Sequence, residues 1–237
     1  MSQSSDTIRR STLLAYPVQA AFGRVLPKSK IYEHSGVTTR LRGLFVSQVD
    51  QIVWQYKLAP ETINLPARPG TPEIQILSIR LKGDALHEDV LRCIDCAVQF
   101  PIVFELHNGQ GPQAKTQVVA AYKRSSIAER AGDPSRWVLS SYFATDWMPA
   151  STPRSPMPVA VDMAHLYSAL LHTVIPLPAH PQEDLVDWVR RAELVISKQR
   201  DLARMQVWLE RERQFNRRVE INATLRRLKS ELEKLLG

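Results

Sequence analysis

The chain has 237 residues, 44% hydrophobic and 23% charged, an ordinary soluble balance that excludes wholesale disorder and a coiled rod. Lysine and arginine number 31 against 24 acids, a net of +7, which favours encounters with polyanions without selecting one. Nine glycines against 16 prolines exclude collagen-like and glycine-rich classes, and two cysteines cannot build a disulfide framework, so a reducing cytoplasm is the expected compartment.

No run approaches the roughly 18 apolar residues needed to cross a bilayer, and residues 1–16 lack the long apolar core of a secretory signal. The basic excess lies at the ends: +4 over residues 1–50, zero over 51–180 and +3 over 181–237.

Residues 8–23 predict a short helix broken near Pro17, and Leu26–Ile31 an extended basic piece. Residues 38–50 carry Leu41, Leu44, Phe45 and Val49 at helical spacing, with Thr38 or Thr39 as N-cap. Ile52–Leu58 reads as a strand, and the prolines of 59–73 mark a loop. Ile74–Leu81 is a strand, Asp84–Gln99 a helix closed by Pro101, and Ile102–Leu106, Thr116–Tyr122 and Arg136–Phe143 are further strands. Strands apolar on successive residues are covered on both faces. The expected fold is therefore α+β: a mixed sheet of about four or five strands in a β-α-β-β-β core, with one helical crossover and otherwise hairpins.

Proline clusters at 148–158 and 174–181 flank an amphipathic helix with its clearest face over Asp162–Leu171. The expected division is a sheet domain over 1–147, a proline-rich connector over 148–181 holding one helix (159–172), and a tail over 182–237. The tail has no proline and no glycine before its last residue. Ile221, Leu225, Leu228, Leu232 and Leu235 alternate in steps of 4 and 3, an a/d seam. The rhythm slips near Gln214, Arg218 and Asn222, which fits either a stutter in one continuous coiled-coil helix or the bend of a hairpin. A narrow apolar stripe must be covered by the chain's own domain, a second copy or another protein.

Chemistry-bearing patterns are sparse. Cys93 and Cys96 form a C-x-x-C late in a helix, where the N-terminal dipole that favours thiolate is absent. With His87 or His107 they could make four zinc ligands, but two buried core thiols are the ordinary reading. Glu73, Glu105 and His107 are the candidates for a metal-dependent nuclease, although no Glu-x-Lys pattern follows in the sheet segment. Lys28, Lys30, Arg40, Arg42 and Lys57 with Trp54 or Tyr56 are the candidates for nucleic-acid contact. Alternation along Trp54–Lys57 would put Trp54 and Tyr56 on one face and Gln55 and Lys57 on the other. Phosphate-loop, dinucleotide, zincin and nucleophile-elbow motifs are missing from the sequence, and no cofactor is implied.

The segments 26–33, 53–66, 72–77, 101–106, 162–171 and 214–223 resemble a bacterial family, domain-of-unknown-function family 4391; the string Tyr56–Asn64 is the most specific piece. The resemblance runs from about residue 24 to the end of the chain. It carries no catalytic residue. It implies company with a DNA methyltransferase and a helicase of the restriction or phage-defence kind, and weight on Lys57, Pro60, Glu61 and Asn64, most simply as loop shapers. The expected function is a non-catalytic accessory subunit of such a system. It would dock through its C-terminal coiled-coil seam, with Ile221, Leu225, Leu228, Leu232 and Leu235 as the interface to a protein partner or a second copy. Direct nucleic-acid binding and metal-dependent nuclease activity are the alternatives.

Overall fold

Runs of isoleucine, leucine and valine build the sheet. The computed structural model describes residues 12–34, 37–125 and 137–237. Its strands are β1 (Leu13–Ala15), β2 (Ala21–Val25), β3 (Val49–Leu58), β4 (Ile74–Leu81), β5 (Ile102–Asn108), β6 (Lys115–Ser125), β7 (Trp137–Ala144), β8 (Met148–Pro149) and β9 (Arg154–Pro156). Its helices are α1 (Lys28–His34), α2 (Thr39–Gln48), α3 (Pro60–Ile63), α4 (Glu88–Ala97), α5 (Met163–Val174), α6 (Leu185–Arg211) and α7 (Phe215–Leu236).

The fold is α+β around a seven-stranded mixed sheet ordered β2-β3-β4-β5-β6-β7, with β8 also paired to β6. Helix α4 makes the crossover between parallel β4 and β5, and the other neighbours along this order are antiparallel. The sheet is wider than the sequence suggests. Strand β2 is exposed along its whole length and so carries no apolar signal, and β8 has only two residues. Strands β1 and β9 form a separate parallel pair.

Several local expectations change. The helix expected over 8–23 is replaced by β1 and β2: Pro17 removes a donor mid-helix, and Leu13–Ala15 pairs with β9 instead. The extended piece after Leu26 is helix α1, started by Pro27, whose preset φ suits a first helical turn. Helix α2 has the expected cap, the Thr38 hydroxyl accepting the Leu41 amide, but it ends at Gln48, and Val49, expected on its apolar face, starts β3. Helix α4 is shorter than 84–99 because His87 caps it, its ring nitrogen accepting the Asp89 amide. The 59–73 loop contains the one-turn α3. The readings of residues 1–11 and of Arg136 as a strand start lie outside the described residues.

One face of the sheet packs Leu77, Ile79, Phe104, Leu106 and Val119 against Phe45 of α2 and Val90 and Ile94 of α4, all fully or nearly fully buried. A buried cation ties this layer together. Lys123 on β6 is fully buried, and its ammonium donates to the carbonyls of Asp95, Val98 and Phe100 at the C-terminal end of α4. It lies 3.8 Å from the Asp95 carboxylate, which also accepts the Tyr142 hydroxyl at 2.5 Å. A cation is favourable there because the carbonyl end of a helix is negative. On the same strand a bulge at Tyr122 frees the Ala121 carbonyl and the Lys123 amide. The buried Tyr167 hydroxyl of α5 donates to the first and accepts from the second.

The contacts divide the chain after Pro176, into residues 1–176 and 177–237. Helix α5, which the sequence reading assigns to a connector, belongs to the first unit through Tyr167. The second unit is a hairpin of α6 and α7 joined at 212–214, and Gln214, where the heptad rhythm slips, is the N-cap of α7. Its helices run antiparallel: Arg191 donates to the Leu235 carbonyl, and Lys198 pairs with Glu231. Arg191 also makes a two-bond pair with Glu183, holding that carboxyl down at about 2.

Burial pushes the Asp95 carboxyl up to about 7. A raised carboxyl pKa means the folded state holds this proton more tightly than the unfolded chain, so its stability contribution is full below about 4 and is lost as pH rises through about 7. Asp95→Asn is therefore expected to gain stability relative to the native chain as pH rises from 4 to 7, by up to about 1.4 kcal/mol per pH unit, read from paired melting curves. Lys123→Met, which leaves the Asp95, Val98 and Phe100 carbonyls without their donor, is expected to cost about 3 kcal/mol or more at pH 7.

Candidate functional site

The family-like string closes β3. Lys57 Nζ lies 2.6 Å from Glu61 Oε1 and 3.5 Å from Glu73 Oε2, and Gln75 Nε2 donates to Glu73 at 2.8 Å. The Glu61 bond raises the Lys57 pKa and lowers that of Glu61. Pro60 starts α3, the Thr62 hydroxyl donates to the Lys57 carbonyl at 2.7 Å, and Asn64 ends the turn in the left-handed region at φ 54°. Proline at N1 and asparagine in the left-handed position are turn chemistry. Further along, Arg68 Nε donates to Asp162, the N-cap of α5, at 2.8 Å. The His165 amide, then Arg68, hold the Asp162 carboxyl well below the usual carboxylate range.

Glu105 is buried in a second cluster. Arg154 of β9 makes two bonds of 2.8 Å to its carboxylate and one of 2.6 Å to the Leu14 carbonyl, pinning the β1–β9 pair over β5. His107 Nε2 is 4.0 Å from Glu105, and Nδ1 is 3.1 Å from the Thr116 hydroxyl. Burial is the main cause of the lowered His107 pKa.

Glu73 and Glu105 do not meet. Gln75, on the face of Glu73, registers with Ile102, whereas Glu105 registers with Ser78. That odd offset puts the two carboxylates on opposite sheet faces. The nuclease constellation is not assembled, since each acid is neutralised by its own cation.

The basic and aromatic set is also dispersed. Lys28 donates to the Phe45 and Val49 carbonyls at the end of α2, and burial lowers its pKa. Lys30 pairs with Glu33, Arg42 stacks over Tyr32, and Arg40 is exposed. Trp54 rests against Phe22, its ring centroid 4.3 Å away. Trp54 and Tyr56 do not share a face. A bulge at Gln55 registers Trp54 with Leu77 and Tyr56 with Ile76, which breaks the alternation. Trp54 and Lys57 end up on the same face, and Tyr56 packs on Tyr16 across the sheet.

The cysteines are both free, and only Cys93 is buried; Cys96 is exposed, unlike the expected pair of core thiols. His87 caps the far end of α4 and His107 bonds Thr116, so neither completes a metal site. Among the described residues no group of three or more His, Cys, Asp or Glu is placed to hold a metal ion.

The heptad seam is consumed within the hairpin. Ile221, Leu225 and Leu228 are buried, and Leu232 and Leu235 are half-buried. Exposed instead, at the turn end, are Val207 and Trp208 of α6 and Phe215 and Val219 of α7. Ala203, Arg204, Val207, Trp208 and Arg211 line a groove there of about 550 Å³. Over residues 204–219 five arginines face two glutamates, with no lysine. The sequence reading missed Lys123, Arg154 and this apical surface. A lysine or arginine in or beside an apolar strand was the available signal for the first two.

Arg154→Met leaves Glu105 buried beside no counter-charge and is expected to cost about 3 kcal/mol or more. The double variant Arg154→Met with Glu105→Gln is expected to recover much of it, measured by denaturant unfolding.

Among the described residues no helix is long and apolar enough to cross a membrane. No curated protein and no solved structure matches the chain. The model of one family, Domain of unknown function (DUF4391), matches residues 14–232, and the chain belongs to that family.

Proposed function

We propose that this protein is a non-catalytic interaction subunit of a bacterial DNA-modification or phage-defence system, cytoplasmic, docking on a methyltransferase or helicase component through its C-terminal hairpin. The observation that carries the reading is the turn end of the hairpin. There the seam is already closed, yet Trp208 and Phe215 remain exposed among arginines. Tryptophan and arginine are the residue types that dominate protein–protein hot spots, and lysine is depleted there. The like charge of two tips disfavours tip-to-tip pairing of copies and favours an acidic surface on a different protein. The docking element is thus the apex rather than Ile221–Leu235.

Co-expression with the products of the genes adjoining its own, followed by mass determination of the complex, tests the reading. Trp208→Ala with Phe215→Ala is expected to weaken capture about thirtyfold or more while the circular dichroism spectrum stays unchanged. Undiminished capture by that variant overturns it.

A further inference from the structure

A second surface lies in the sheet unit. Strands β4 and β5 are the parallel pair of the large sheet, so their carboxyl ends emerge at one edge. Connections leave such an edge in different directions and open a crevice there, which is where open α/β sheets bind ligands. A cleft of about 750 Å³ occupies this position, lined among others by Asp50, Arg80, Lys82, His107, Gly109 and Gly111. Its size is that of a small-molecule site.

The lining is cationic and rich in free donors. Arg80 and His107 are register partners and project from the same face. Among the described residues the Arg80 guanidinium makes one charge contact, to Asp50 at 4.0 Å, too long for a hydrogen bond. Lys82 donates to the Val46 carbonyl, a neutral partner, so its charge is not cancelled. The loop after β5 bends through Gly109 at φ 76° and Gly111 at φ 58°. A side chain at 109 would meet the Gln113 carbonyl oxygen at 2.9 Å, so this tight bend requires glycine. Among the described residues, no hydrogen bond takes up the amides of Gly109, Gln110 or Gly111.

We propose that this cleft binds the phosphate of a phosphomonoester of mononucleotide size. The Arg80 guanidinium fork and the Lys82 ammonium supply the several donors that a dianion with three terminal oxygens accepts. Asp50 is the opposing charge. It is half-exposed, and its loose contact with Arg80 is of the kind that contributes little and yields to a stronger anion.

Calorimetric titration of the full chain with adenosine monophosphate and with inorganic phosphate tests this. Saturable binding of the monophosphate is expected, tighter than that of phosphate. Arg80→Gln is expected to weaken it by about tenfold or more; this side chain is largely exposed, so the fold is expected to survive, checked by melting temperature. Asp50→Asn is expected to tighten it by removing the competing carboxylate. Lack of saturation in the native chain overturns the proposal, as does unchanged affinity in Arg80→Gln. Equal affinity for inorganic phosphate overturns it in favour of a plain ion site. Binding of a 5′-phosphorylated oligonucleotide without binding of the monophosphate overturns it in favour of a polynucleotide end.

Discussion

The ammonium of Lys123 is the constraint on which the sheet unit depends. A crossover helix must end beside the sheet, and its last carbonyls then face an apolar layer with no water to satisfy them. Lys123 reaches those carbonyls from β6, two strands away from where the crossover began, and its charge is offset by Asp95 on the same helix. One side chain thereby fixes how far α4 extends and how it lies over β5 and β6. The Asp95–Tyr142 bond carries the tie on to β7.

The same economy explains the fate of other charged residues. Lys28 ends α2, Arg154 holds the β1–β9 pair, Asp162 joins the 59–73 loop to α5, and Lys57 joins α3 to the start of β4. Each spans elements distant in sequence. Buried or half-buried ion pairs of this kind add modest net stability but strongly disfavour alternative arrangements in which one partner loses the other. Arg80 and Lys82 at the carboxyl ends of the parallel strands and the arginines of the hairpin turn make no such buried tie, and the proposed binding surfaces lie there.

In the hairpin, the division of labour is between seam and tip. The leucine seam closes α6 on α7, with Arg191–Glu183 and Lys198–Glu231 flanking it. Once closed, the seam has no apolar face to offer. The turn is short, so the residues beside it cannot all turn inward, and Trp208 and Phe215 are left outside. The seam read from heptad spacing is therefore closed within the hairpin, and the large apolar side chains left exposed beside the turn are Val207, Trp208, Phe215 and Val219.

Strands with dense β-branched content, the cap at Thr38, the β-α-β-β-β order and the heptad break near Gln214 were legible in the sequence, because each depends on local spacing or on a single residue's backbone preference. Strand β2 was not, since an edge strand open to solvent has no alternation to read, and neither was the bulge at Gln55, which reverses the faces of Trp54 and Tyr56. Which charges are structural and which remain free was decided only by the tertiary structure. A lysine in a strand looks the same in sequence whether it reaches solvent, as Lys57 partly does, or the end of a helix, as Lys123 does. The difference is set by cross-strand register, and register arises from pairings between segments far apart in the chain.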